Sequence, residues 1–344
     1  MKGFFKTVIY LWILGLLSAC SSQQANRSVL GVTATPDNET RTLASLKQVD
    51  DYPLYTMQYY GEYALPQTSM LPTVKQTSPG PGWACSLFTV LLDEDHLLYG
   101  RNFDWDFSPA LLLFTNPPDG YSSVSMVDLE FLGFNKETAS HLTDLPPKDL
   151  KDLLSAPRLP FDGMNEQGLA IGMAAVPSGD MKADPSRKTI GSLGVIRQIL
   201  DHAKNVEEAV NIIKQYNIDF TGGPPIHYLI ADATGKAVLV EFYQGEMHVI
   251  GNDHPWQSAT NFLRSSVDNP KGNCWRYDKI NARMNEKQGL LDSTSAMQLL
   301  SEVAQDNTQW SVVYQMGRAE ISIAMGRDYA DIHTFQTLDY WNPR

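Results

Sequence analysis

The sequence predicts an α+β fold in which antiparallel sheets pack in layers with helices, and three observations predict it. Short apolar or alternating runs, separated by Gly, Pro, Asp and Asn, crowd the stretch from residue 85 to 176. Two segments with apolar residues at spacings of three and four follow it. Strands, helices, strands, helices and strands then succeed one another in blocks, the order of layered α and β packing rather than of a parallel βαβ array.

Taken in order, the chain opens with Lys2 and Lys6 and the apolar run "TVIYLWILGLL", too short to span a bilayer as a finished helix and laid out as a cleaved signal. The small residue before Cys20 in "LSAC" is also what a bacterial lipoprotein signal looks like. Residues 1–19 are then the signal peptide and Cys20 the lipidated N-terminus. An ordinary signal cut elsewhere is the alternative. Ser21 points to the outer membrane of a Gram-negative envelope, as that resemblance implies. Residues 21 to about 40 are polar and aperiodic, which suits a tether. "LYTMQYYGEYAL" is strand-like, and Pro79, Gly80, Pro81 and Gly82 exclude regular structure just before Cys85.

After Cys85 come the strands "SLFTVLL", "LLYGRNFD", "ALLLFT", "YSSVSMVDL" and "GLAIGMAAV". Helices follow at "SLGVIRQILDHA" and "VEEAVNIIKQY", the second with Asn205 as N-cap. "IHYLIADA" and "KAVLVEFY" form a hairpin across "TGK". Two more helices, near 275–286 and 294–304, precede a closing hairpin, "WSVVYQM" and "AEISIAM".

A net charge of −12 argues against nucleic-acid binding. No C-x-x-C or H-E-x-x-H spacing occurs and the seven histidines are scattered, so no metal or other cofactor is expected. Export permits a disulfide between Cys85 and Cys274, the structural alternative to a reactive Cys85.

A cysteine attacks a carbonyl as its thiolate and needs a base or a neighbouring cation. His96, His202 and His227 offer no obvious partner. Cutting the Ala84–Cys85 bond would give Cys85 a free α-amine of ordinary pKa about 7.7–8.0, which can take the thiol proton. The hairpin of "CSLFTVLL" and "LLYGRNFDW" brings Arg101 and Asp104 back beside Cys85. Asp104 can then orient the new ammonium, and Arg101 can favour the thiolate and hold a substrate oxygen. An ordinary ion pair at a strand end is the alternative.

These residues resemble the start of the mature cysteine N-terminal nucleophile (Ntn) hydrolases of the choloylglycine hydrolase, penicillin V acylase and acid ceramidase group. "FDGMNEQGLAIGM", "HYLIADATGKAVLVEF", "SATNF" and "CWRYDKI" resemble further segments of that family. The resemblance implies a four-layer αββα sandwich with two packed antiparallel sheets and a catalytic domain over 85–344, preceded by a tether and pro-segment over 20–84. It implies Cys85 as nucleophile with Arg101 and Asp104 as its positioning pair, Asn261 as side-chain donor to the oxyanion, and Arg276 completing the charged network. One departure stands out. The position where bile-salt and penicillin V acylases carry a second oxyanion donor falls on Ala175, which has none, so a backbone N–H or a water must substitute.

The expected activity is hydrolysis of a linear, non-peptide amide C–N bond in a small N-acyl substrate, by a protein held to the membrane through its lipid. Acyl transfer by the same acyl-enzyme and a non-catalytic ligand-binding lipoprotein are the alternatives. Phe103, Trp105 and Leu111–Phe114 are the apolar residues expected to suit an acyl group.

Overall fold

Cys85 lies at the head of a hairpin whose two arms are buried along their whole length. A computed structural model describes residues 37–63, 84–93 and 96–341, which belong to one compact unit, Pro36–Arg344. The expected signal peptide, Cys20, most of the tether and the Pro/Gly joint lie outside the described residues.

The strands are β1 (Lys47–Asp50), β2 (Leu54–Tyr59), β3 (Ala84–Val90), β4 (Leu98–Asp104), β5 (Ala110–Thr115), β6 (Ser123–Asp128), β7 (Asp162–Asn165) and β8 (Ala170–Ala175). They continue with β9 (Lys188–Gly191), β10 (Tyr216–Asp219), β11 (Ile226–Ala231), β12 (Ala237–Tyr243), β13 (Glu246–Gly251) and β14 (Ser258–Ala259). The last three are β15 (Thr308–Gln315), β16 (Glu320–Met325) and β17 (His333–Gln336). The helices are α1 (Asn38–Ala44), α2 (Lys136–Ala139), α3 (Ser192–His202), α4 (Val206–Ile213), α5 (Trp275–Glu286), α6 (Ser293–Glu302) and α7 (Leu338–Trp341).

One sheet has six strands in the order β14-β3-β4-β15-β16-β17, all antiparallel. The other has nine, β1-β2-β5-β6-β7-β8-β11-β12-β13. It departs from the expected antiparallel pattern at one place, where β2 runs parallel to β5. A short parallel pair, β9 with β10, stands apart. The two large sheets face each other through β3 and β8, with α3 and α4 outside the nine-stranded sheet and α5 and α6 outside the other. This is the αββα layering.

Local chemistry accounts for these elements. Helix α3 buries Leu193, Val195, Ile196, Ile199 and Leu200 on one broad face, and Asn205 caps α4 by accepting the Glu208 N–H. Between β7 and β8 the chain turns at Gly168 with φ +73°, where a Cβ would come within 2.7 Å of the Met316 carbonyl. Between the sheets, Gly172 leaves room for Tyr99, whose hydroxyl crosses from β4 to the Leu229 carbonyl of β11 at 2.9 Å.

The strand expected in "LYTMQYYGEYAL" is β2, and it is part of this core. Leu54, Tyr55 and Met57 are buried, and six residues pair with β5. Tyr52 Oη donates to Gln309 Oε1 (2.8 Å), Tyr55 Oη to the Ala139 carbonyl (2.9 Å) and Gln58 Nε2 to the Tyr340 carbonyl (2.9 Å). Asp50 meets His333 Nε2 at 2.7 Å. The residues ahead of Cys85 therefore share a sheet with those behind it.

Candidate active site

The β3–β4 register sets Cys85 opposite Phe103 and Ala84 opposite Asp104. Side chains alternate across a strand. Cys85, Arg101 and Phe103 therefore point between the sheets, while Ser86 and Asp104 point towards the helices. The two members of the expected positioning pair thus act from opposite faces.

Arg101 Nη2 lies 3.8 Å from Cys85 Sγ, and its Nη1 is bonded to Asp162 of β7, which also accepts the Tyr314 hydroxyl. Arg101 and Asp162 are both fully buried. Burial opposes the Arg101 charge, but Asp162, with Cys85 and Tyr99, more than offsets it and the guanidinium is held charged. Sequence reasoning missed Asp162. Its signal was an aspartate heading a strand, in "FDGMN", with every residue of that strand buried. Burial also dominates at Cys85: it pushes the thiol's pKa up, more than Arg101 can pull it down, with Asp104 adding to the rise. Such a shift favours the thiol form, so reaction as a thiolate would call for a base.

Asp104 accepts from Thr308 Oγ1 (2.5 Å) and Gln305 Nε2 (3.0 Å) and lies 3.6 Å from Arg276 Nη1. Burial raises its pKa against these three partners. Arg276 belongs to the first turn of α5, where the helix dipole disfavours a cation. It is buried there because acceptors converge on it: the Cys85 carbonyl at 2.5 Å, Ser86 Oγ at 3.0 Å and Asn261 Oδ1 at 2.8 Å.

Asn261 lies between β14 and a short 3₁₀ turn, Arg264–Ser266. Its Oδ1 accepts the Cys85 N–H at 2.7 Å, so the acceptor on the Cys85 nitrogen is Asn261 rather than Asp104. Its Nδ2 donates to the Ala175 carbonyl at 2.7 Å. Ala175, which lacks the side-chain donor, thus meets Asn261 through its backbone. Cys85, Arg101, Asp104, Asn261 and Arg276 are all brought together. Cys85 and Cys274 are free thiols, so the alternative disulfide is not formed.

An apolar slot opens on Cys85, lined by Phe103, Trp105, Phe161, Met173, Ala175 and Leu193. Phe103 is fixed by stacking on Trp310 at 4.1 Å. The enclosed space is about 30 Å³, room for about two waters at ~10–15 Å³ each. Leu111–Phe114 do not line it: they are buried in the core on β5, with Phe114 stacked on Tyr340. All four residues of that run are covered on both faces of the sheet, which leaves none of them free for a ligand.

A nucleophile candidate at a strand head, two flanking arginines and the facing sheets define the Ntn-hydrolase class. The family of linear amide C-N hydrolases, choloylglycine hydrolase family, matches residues 85–266, just over half of the sequence, and the chain belongs to it. A conjugated bile acid hydrolase variant from Clostridium perfringens shares the fold, with a TM-score of 0.53 at 15% identity over 74% of this chain and 93% of that one. Penicillin V acylase from Agrobacterium tumefaciens does so with a TM-score of 0.51 at 15% identity, over 75% and 88%. An uncharacterized protein of Paramecium bursaria Chlorella virus 1 is 35% identical over 101 residues, 27% of this chain. The chain spans about a third of that curated relative's length, 36%.

Proposed function

We propose that this protein hydrolyses the C–N bond of a small N-acyl amide through Cys85, after self-cleavage between Ala84 and Cys85 frees the Cys85 α-amine. The observation that carries the reading is the convergence on one residue. Arg101 meets the Cys85 sulfur, Asn261 its nitrogen and Arg276 its carbonyl, beside an apolar slot.

The chemistry follows from these contacts. The α-amine, held by Asn261 Oδ1, takes the thiol proton, and Sγ attacks the amide carbon. The carbonyl oxygen becomes an oxyanion. Asn261 Nδ2 has one N–H on Ala175 and a second to offer that oxygen. Collapse expels the amine, which takes the proton from the Cys85 ammonium and leaves a thioester. Water attacks the thioester as the α-amine accepts its proton, and a carboxylic acid leaves with the thiol restored. Arg276 holds the Cys85 carbonyl still throughout, with Asp104 balancing its charge.

The apolar slot suits the acyl group of such a substrate. Acyl transfer would use the same thioester with an amine in place of water. The location proposed is the cell envelope, held through a lipid on Cys20, at the periplasmic or surface face of the outer membrane in a Gram-negative host. No helix among the described residues is long and apolar enough to cross a membrane.

Intact mass with thiol counting tests the reading. The wild type should give two chains, the larger starting at Cys85 with a titratable thiol, and should release acid from N-acyl amides. Cys85→Ala should stay one chain and inactive. Cleavage of Cys85→Ala at the same bond would refute self-cleavage, and an uncut, inactive wild type would refute the enzyme.

A further inference from the structure

Glu241 takes no part in the chemistry above, yet it is fully buried on β12 and committed to three donors. Its Oε1 accepts the Arg264 N–H at 2.9 Å and faces His227 Nδ1 at 3.0 Å, and its Oε2 accepts the Ser265 N–H at 2.7 Å. Burial alone would raise its pKa, but the hydrogen bonds from His227 and Ser265 hold it below the usual carboxylate range. It is therefore ionised at neutral pH. An ionised carboxylate only accepts, so His227 carries its hydrogen on Nδ1. His227, on β11, is fully buried, and among the described residues its Nε2 meets no hydrogen-bond partner.

Arg264 and Ser265 begin the 3₁₀ turn that follows Asn261. The segment bearing Asn261 leaves the six-stranded sheet at β14, while Glu241 and His227 belong to the nine-stranded one. The carboxylate thus pins the far end of this segment to the sheet whose Ala175 carbonyl also takes Asn261 Nδ2. A buried charge is a weak source of stability, because its desolvation offsets much of its attraction. Two adjacent backbone N–H groups on one carboxylate do, however, fix a loop's position. Misplacing a catalytic group by about 1 Å can cost 10²-fold in rate.

We propose that Glu241, oriented by His227, is a positioning residue that holds Asn261 where its amide reaches both the Cys85 nitrogen and the substrate oxyanion. This rests on the reading of Asn261 as the oxyanion donor. Glu241→Gln keeps the shape but replaces one accepting oxygen with an NH₂ that faces a donor.

The test has two arms. In matured enzyme, Glu241→Gln should lower kcat about tenfold or more with KM within twofold, and Glu241→Asp, a methylene short, should fall between it and the wild type. Combined with Asn261→Ala, Glu241→Gln should add less than threefold to the loss, because both act through one group. A kcat within twofold of wild type, or fully additive losses, would overturn the proposal. If Glu241→Gln fails to fold, His227→Gln, which leaves the carboxylate on both N–H groups, should show a smaller kcat loss with the same non-additivity. The second arm needs no turnover: hydrogen exchange on the uncut Cys85→Ala chain. There Glu241→Gln should deprotect residues 261–266 while β3, β8 and β12 stay protected. Unchanged protection of 261–266 would sink the clamp whatever the enzyme acts on.

Discussion

Removing the Asn261 side chain separates two quantities that the site joins. Its Oδ1 accepts from the Cys85 N–H and from Arg276 Nη2, and its Nδ2 donates to Ala175. A neutral hydrogen bond contributes about 0.5–1.5 kcal/mol and one to a charged group about 1.5–3. Two neutral bonds and one charged bond sum to about 2.5–6 kcal/mol, and Asn261→Ala should lower folding stability by an amount near the low end, because Asn261 is only half-buried and water can enter. The effect on turnover is separate. Loss of one oxyanion donor costs about 10²–10³ in kcat, roughly 2.7–4 kcal/mol, and Ala175 offers no second side chain to share the charge. Asn261→Asp restores acceptors for Cys85 and Arg276, so it should fold better than the alanine variant. It should nevertheless turn over more slowly, since it sets a negative charge against a forming oxyanion. Denaturant melts give the first quantity, and steady-state kinetics on chain already cut at Cys85 give the second. Mature Asn261→Ala with kcat within about threefold of wild type would refute the assignment and leave the charge to backbone amides.

Three further outcomes are expected. Cys20→Ser should leave the membrane fraction with amidase activity intact, and its retention after a high-salt wash would count against the lipid anchor. After cleavage, the piece bearing β2 should co-elute with the larger chain on native size exclusion and part from it only in denaturant, because Leu54, Tyr55 and Met57 are buried. Separate elution without denaturant would contradict that packing. Burial pushes the Asp128 carboxyl up to about 7, against only partial relief from the Glu130 N–H and Ser108. A raised folded value means stability is fullest below the ordinary value of about 4 and falls as pH rises through about 7. Asp128→Asn should remove that fall, worth up to about 4 kcal/mol at about 1.4 kcal/mol per unit. Melts at pH 5 and 8.5 that show the same pH dependence in both proteins would disprove it.

The parts of the fold written in local pattern were readable from sequence. Helices α3 to α6 follow from apolar spacing, and the β3–β4 hairpin follows from two apolar runs with a turn between them. That hairpin alone brings Arg101 within reach of Cys85, so this contact was legible from spacing. Asn261 and Arg276 were legible only through family resemblance, since they reach Cys85 from 176 and 191 residues away. Asp162 and the His227–Glu241 pair escaped because their meaning is burial, and an aspartate or glutamate in a strand looks the same in sequence whether it faces water or an arginine. The strand β2 was visible, but not its place beside β5. A parallel neighbour reached across an intervening hairpin leaves no turn signal. The short polar strands β9, β10 and β17 carried no apolar pattern to read.

The place of β2 has a further consequence if Cys20 carries a lipid and the chain is cut before Cys85. No covalent path then joins the membrane to the nucleophile. The enzyme is held at the surface by six residues of strand pairing and by the side chains packed on them. Because Leu54 and Tyr55 lie within the main core, this hold cannot slip without opening the nine-stranded sheet itself. Dwell time at the envelope is then limited by the rate at which this edge of the sheet opens. An enzyme molecule that comes loose is one that has exposed the edge of β5 and the core that β2 covers.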